Sequence, residues 1–220
     1  MPKERSLKRI IHRSSYNEII EEIAKLENCS CIMDEALMER TIFRIGAEQK
    51  EQDYNTRTKQ WLRVRKGDLD CRKKPICNAT IKQVTDDSGR TKLVSTLNLE
   101  DYTEAIAFFE RIGNTVVSTQ ENKRTKYIYT LDSQKYSICF DFWPHLDEFV
   151  FISIACEQAD EEDLQFVASL LELDKHTDNT FSHIDIDSVY ERYYRKKASD
   201  IRYLSFSIKF FQKMVSYTPS

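Results

Sequence analysis

Basic residues recur two apart in segments of strand-forming composition. In Trp61-Leu62-Arg63-Val64-Arg65 cations alternate with apolar residues. Side chains of a strand point to opposite faces in turn, so Arg63 and Arg65 share one face and Leu62 and Val64 the other. Arg124 and Lys126 follow the same alternation, Lys82 sits amid apolar neighbours in Ala79-Thr80-Ile81-Lys82-Gln83, and Lys8 sits in Ser6-Leu7-Lys8-Arg9-Ile10-Ile11. On one strand alone such a face is ordinary solvated surface. Gathered on a common interior, the same residues would form a cationic lining. Guanidinium forks bind phosphate oxygens bidentately in partly desolvated space, so that lining would suit a polyphosphate.

Composition limits what else the chain can be. Its 220 residues make one domain, long enough to bury a core without disulfides or metals. With 31% charged and 40% hydrophobic residues it is neither disordered, collagen-like nor membrane-spanning. Lys and Arg number 33 against 36 Asp and Glu, a net charge of −3. There is thus no bulk attraction to a DNA or RNA duplex or to a membrane, and an anion site must come from local arrangement. Four glycines leave no P-loop and no dinucleotide-binding fingerprint. No run approaches the roughly 18 apolar residues of a membrane span, and Met1-Pro2-Lys3-Glu4-Arg5 leads into mixed charge rather than a signal peptide. The six cysteines, Cys29, Cys31, Cys71, Cys77, Cys139 and Cys156, show no paired CxxC spacing, and the four histidines show no ligand spacing. Reduced thiols and a cytoplasmic location are expected.

Elements that could position the cations follow from periodicity. Ser15–Asn28 reads as a helix with a Ser15/Glu18 capping box and an Ile19, Ile20, Ile23, Leu26 stripe. A second helix starts near Asp101, buries Ala105, Ile106, Phe108, Phe109 and Ile112, and stops at Gly113. A third starts in the acidic run 160–163 and buries Leu164, Val167, Leu170 and Leu171. Strands are expected at Trp61–Arg65, Asn78–Thr85, Lys92–Leu99, Lys126–Leu131, Tyr136–Phe142 and Phe149–Cys156, with turns at 86–89 and 132–133. Residues 174–188 read as a loop, Val189–Lys197 as a helix and Ile201–Phe210 as a strand. The sum is an α+β fold, an antiparallel β-barrel with helices packed outside. Residues 1–173 would form the barrel, and 174–220 a terminal helix and strand packing on the same domain.

The chain resembles the CYTH proteins of the triphosphate tunnel superfamily, which includes class IV adenylate cyclases and thiamine triphosphatases. The resemblance runs in order through Asp53-Tyr54, Trp61-Leu62-Arg63-Val64-Arg65, Thr80-Ile81-Lys82, Thr91-Lys92, Leu99-Glu100-Asp101-Tyr102, Gln120-Glu121-Asn122-Lys123-Arg124, Asp141-Phe142-Trp143-Pro144-His145-Leu146 and the tail from Tyr190 to Phe206. It is most specific in the Asp-x-Trp-Pro-x-Leu and Gln-Glu-Asn-Lys-Arg runs. The resemblance implies a tunnel in which basic residues grip a triphosphate and glutamates hold Mg²⁺ or Mn²⁺. By motif position Lys8, Arg63, Arg65, Lys82 and Arg124 match the phosphate-gripping residues, with Lys92 and Lys126 as looser matches.

The acidic half of that pattern is missing. The opening Glu-x-Glu-x-Lys motif reads Glu4-Arg5-Ser6-Leu7-Lys8, the alternating glutamates before the second helix are Val94, Thr96 and Asn98, and Glu-Ile-Glu after Trp-Pro is Phe151-Ile152-Ser153. Glu4 and Asp141 are the surviving acids. Mg²⁺ needs hard oxygen ligands, so these replacements remove most of its cage and leave the cations less compensated. The expected protein binds a nucleotide or another phosphorylated small molecule with no metal and no efficient catalysis, as a sensor, sequestering or regulatory protein, and leaves room for a homodimer. Two alternatives stay open. One is a Mg²⁺- or Mn²⁺-dependent triphosphatase or cyclase with rearranged ligands such as Glu100 or Glu157. The other is an interaction module whose lumen is plugged by Phe151 and its neighbours.

Overall fold

A computed structural model describes residues 5–45, 60–84, 92–181, 186–198 and 201–207. In chain order the elements are β1 (Arg5–His12), a 3-10 turn (Arg13–Ser15), α1 (Tyr16–Lys25), β2 (Cys29–Arg44), β3 (Gln60–Leu69), β4 (Pro75–Val84), β5 (Lys92–Asn98) and α2 (Tyr102–Arg111). There follow β6 (Thr115–Leu131), β7 (Gln134–Phe142), β8 (Phe149–Cys156), α3 (Glu161–Leu170), α4 (Leu173–His176), α5 (Ile186–Tyr194) and β9 (Tyr203–Leu204). The strands join in the order β1-β8-β7-β6-β2-β3-β4-β5, antiparallel throughout, and β9 adds to β6 in parallel. The α+β reading holds. Among the described residues β1 and β5 remain edges, so the sheet is not closed into a ring by hydrogen bonds. Bulges interrupt it, with three register shifts between β2 and β6 and one between β3 and β4.

Local chemistry explains most element ends. Asp101 caps α2 by accepting the Glu104 amide at 2.7 Å, and Asp160 and Asp163 form a reciprocal capping box on α3. Gly113, at φ +91°, ends α2, and Asp132 and Ser133, both left-handed, make the tight β6–β7 hairpin. Ser15 makes no cap bond, because the 3-10 turn already holds it in helical geometry. Phe108 and Ile112 are 57% and 59% exposed rather than buried, because the inward stripe of α2 is Tyr102, Ala105, Ile106 and Phe109. The run 174–188 is not all loop: it holds most of α4 and the start of α5, with 182–185 outside the described residues. The terminal strand shrinks to β9, and the turn at 86–89 and residues 208–210 lie outside the described residues.

Helices α1, α2 and α3 cover the convex side of the sheet. α1 and α3 seal Ile138, Phe140, Ile152 and Ile154 of β7 and β8 with Ile19, Ile23, Leu164 and Val167. α2 seals Phe43, Leu62, Val64 and Ala79. Full burial of each large aliphatic or aromatic side chain contributes about 1.5–3 kcal/mol, which fixes strand register and therefore which residues face inward. A third cluster joins Ile10, Trp143, Leu146 and Phe149 to Val189, Tyr190, Ile201 and Leu204 of the C-terminal segment, with Phe151 packed against it. Among the described residues no helix is long and apolar enough to cross a membrane.

Candidate anion site on the concave face

Strand pairing sets the expected cations on one side of the sheet, since directly opposed residues share a face. One row reads Lys8, Ser153, Cys139, Lys126, and the next Ile10, Phe151, Asp141, Arg124, Ala36. Two more read Gln120, Arg40, Arg65, Asn78, Asn98 and Ser118, Ile42, Arg63, Thr80, Thr96. Lys82 pairs with Val94 and Val84 with Lys92, which places Lys82 and Lys92 at register positions of the same face; their side chains lie outside the described residues. Glu4 lies outside them too. Every position where the resembled pattern has a glutamate and this chain has Val94, Thr96, Asn98, Phe151 or Ser153 falls on that face.

Asp68, which alternation assigns to the wrong side, sits at the centre of this face. After Arg63 and Arg65 the next inward position would be Gly67. Instead Arg65 pairs with Asn78 and Asp68 with Ile76, three steps on β3 against two on β4. That extra residue turns Asp68 inward, where it is 2% exposed. Gly67 permits the bulge: its φ is +91°, and a Cβ there would overlap the Leu37 carbonyl oxygen of β2. A glycine inside a strand pattern is the sequence signal that could have found it.

The two inward carboxylates are held by cations. Arg124 donates from Nε and Nη2 to the two oxygens of Asp141 at 2.7 Å each, and from Nη1 to Asp68 at 2.9 Å. Lys126, 7% exposed, donates to Asp68 at 3.0 Å and to the Leu69 carbonyl at 2.5 Å. Arg65 stands 3.5 Å from Asp68 and donates to Asn78 at 3.2 Å, while Asn122 donates to Asp141 at 2.8 Å. Burial alone would raise the Asp68 pKa, but Arg124, Lys126 and Arg65 outweigh it and hold the carboxyl below its usual value. Burial also works against the Arg124 cation, yet Asp141 and Asp68 raise its pKa well above the ordinary value. The expectation that losing glutamates leaves these cations uncompensated is therefore corrected for Arg65, Arg124 and Lys126.

Arg40 is an inward cation that sequence reading missed, because Met33–Arg44 is rich in helix formers and β2 was not expected. Its guanidinium donates to Gln120 at 2.7 Å and lies 4.3 Å from the Trp143 ring centre. Burial lowers its pKa to about 10 against the pull of Asp141 and Asp187, so it stays charged at neutral pH. Arg40, Arg63, Arg65, Arg124, Asp141 and Trp143 line a cavity of about 30 Å³, room for about two waters. Lys8, on edge strand β1, is exposed and not part of that lining. The described inward strand positions thus carry six cationic side chains, Lys8, Arg40, Arg63, Arg65, Arg124 and Lys126, against the carboxylates of Asp68 and Asp141; Glu39, paired with Lys66, also lines the cavity, and Asp187 of α5 attracts Arg40.

This donor set does not fit a magnesium cage. Among the described residues no group of three His, Cys, Asp or Glu side chains is placed to hold a metal. A carboxylate closed on a guanidinium fork, as Asp141 is, presents its lone pairs to Arg124 rather than to an ion.

Neither a family model nor a curated protein sequence matches the chain. Solved structures do. A candidate adenylate cyclase from Vibrio parahaemolyticus superposes with a TM-score of 0.52 at 11% identity, covering 96% of this chain and 97% of that one. A candidate adenylate cyclase from Bacillus halodurans gives 0.48 at 10% identity, covering 88% and 100%. The PH1012 protein of Pyrococcus horikoshii gives 0.49 at 17% identity, covering 79% and 94%. The chain shares the fold of the Vibrio protein, an α+β arrangement of one antiparallel sheet with helices packed against it, here with the sheet unclosed by hydrogen bonds among the described residues.

Proposed function

We propose that this protein binds a nucleotide or another phosphorylated small molecule on its cationic concave face, without efficient catalysis. The observation that carries the reading is the charge inventory of the inward strand positions: six cations against two carboxylates, both closed in ion pairs. Phosphate oxygens match the fork of Arg124 as well as Asp141 does, so an incoming anion would exchange with the internal carboxylates rather than fill a void. Metal-assisted phosphoryl transfer needs carboxylates free to ligate, and the residues at those positions are aliphatic, aromatic or neutral polar.

Calorimetry with ATP and with tripolyphosphate in EDTA tests this. Both bind the full chain, and Arg65→Ala weakens both about tenfold. Phosphate or pyrophosphate release from ATP in Mg²⁺ or Mn²⁺, abolished by Glu4→Gln, would replace the reading with a metal-dependent triphosphatase or cyclase. The 30 Å³ cavity and the packing of Phe151 against the C-terminal cluster favour a second reading, a plugged interaction module. It predicts that neither anion binds.

A further inference from the structure

Gln120 ties the cationic face to the C-terminal segment through a run of buried hydrogen bonds. Arg40 donates from Nε to Gln120 Oε1 at 2.7 Å. Gln120 Nε2 donates in turn to Ser118 Oγ at 3.0 Å and to the Ala198 carbonyl at 2.9 Å. Ser118 Oγ extends the run to the Ile201 carbonyl at 2.5 Å. Gln120 and Ser118 are 1% and 0% exposed, so the network stands out of bulk water. Beside it β9 lies on β6, with Gln120 in register with Leu204 and the Thr119 amide donating to the Arg202 carbonyl at 2.8 Å.

The Gln120 amide has one usable orientation. A guanidinium only donates and a main-chain carbonyl only accepts, so the oxygen must face Arg40 and the nitrogen Ala198. A half-turn would set donor against donor at one end and acceptor against acceptor at the other. Arg40 also lies 4.3 Å from the Trp143 ring centre, and it lines the 30 Å³ cavity with Arg63, Arg65 and Arg124. With Nε spent on Gln120, the Nη1 and Nη2 donors are what Arg40 has left for an anion. An arginine fixed beforehand loses less rotamer freedom when it binds. Asp187 of α5 attracts Arg40 too, so C-terminal residues reach this guanidinium by charge as well as through Gln120.

We propose that Gln120 is a positioning residue that holds Arg40 ready for a phosphate anion while Ala198 and Ile201 are docked on β6, so that anion affinity and attachment of this segment rise and fall together. Docking itself comes from apolar packing, since Ala198, Ile201 and Leu204 are buried in one cluster with Ile10 and Trp143. Gln120 converts that packing into the orientation of one charge. The inference rests on the anion-binding reading above.

A double-mutant cycle on the full chain, read by calorimetry with tripolyphosphate in EDTA, tests the coupling. Hydrogen bonds to charged groups are strong enough that Gln120→Ala should weaken binding about tenfold. Arg40→Ala costs about the same, and the double variant binds no worse than Arg40→Ala alone. Ser118→Ala leaves the Arg40–Gln120 bond in place yet weakens tripolyphosphate roughly threefold, and it carries the test should Gln120→Ala fail to fold. Linkage requires the reverse effect as well. Tripolyphosphate slows amide hydrogen exchange at residues 201–204 of the wild type and no longer does so in Gln120→Ala or Ser118→Ala. A Gln120 that merely filled space would lower the melting temperature without touching that difference. Losses from Arg40→Ala and Gln120→Ala that multiply, or exchange at 201–204 indifferent to tripolyphosphate, overturn the coupling and leave the anion site standing. A wild-type chain that binds no tripolyphosphate overturns the anion reading, and this inference with it.

Discussion

Asp68 concentrates the electrostatics of this molecule in one carboxylate. It accepts from Arg124 and Lys126, with Arg65 nearby, and it lies out of water. Removing one partner of a buried pair typically costs about 3–5 kcal/mol, because the remaining charges stay buried without compensation. Asp68→Asn should therefore lower the unfolding free energy by about that amount in urea titrations at pH 7. The same change removes a competitor for incoming phosphate, so tripolyphosphate affinity measured by calorimetry should rise about tenfold. Because the folded pKa of Asp68 lies below the ordinary 3.8, its contribution to stability is full above that value. It is lost as pH falls below 3.8 through the folded pKa. Acid-unfolding curves should show the gap between wild type and Asp68→Asn closing in that window and nowhere near neutrality.

At the level of elements, the β3 bulge decides what the concave face contains. Without it Asp68 would point outward and the cluster of Arg65, Arg124 and Lys126 would lose its shared anion. Gly67 and Gly113 both have φ +91°, but only Gly67 has backbone where a Cβ would go; around Gly113 there is open space. Gly113→Ala should cost about 1 kcal/mol of backbone strain. Gly67→Ala adds the collision with β2 to the same strain and dislodges Asp68, and should melt several degrees lower than Gly113→Ala. Equal melting temperatures for the two variants would refute this account of the bulge. The C-terminal segment is a second deciding element. Its Val189, Tyr190, Ile201 and Leu204 pack on Ile10, at an inward register position of β1, so part of the concave face is taken up by apolar contact.

Taken as a whole, the molecule is slightly acidic while one face of its sheet is strongly basic. Long-range steering of anions is therefore weak, and binding depends on short-range contacts with Arg40, Arg63, Arg65 and Arg124. Raising ionic strength from about 0.05 to 0.5 M should weaken tripolyphosphate roughly tenfold, since the Debye length shrinks below the dimensions of the site. The melting temperature of the unliganded chain should move far less, because the ion pairs around Asp68 are buried. A tripolyphosphate affinity insensitive to salt would refute ionic contacts as what holds it.

What the sequence determined by itself was the face to which most charged side chains belong. A strand's period of two makes that assignment local within each strand, as for Arg63 with Arg65 and Arg124 with Lys126, while the family resemblance set the strands' faces together and placed Thr96, Asn98 and Ser153 on the same surface. The α+β class followed from the same patterning, as did the ends of α2 and α3, set by the side chains of Asp101, Asp160 and Asp163. Tertiary structure decided the rest. Asp68 faces inward only because a bulge at Gly67, where the closeness of β2 leaves no room for a Cβ, reverses the alternation at that point. Arg40 was hidden in a segment whose helix formers become a strand only when β3 and β6 bond to it on either side. The pairing of cations with carboxylates, and the packing of Trp143 with Leu204, join residues far apart in the chain, and no local pattern encodes a distance across a curled sheet.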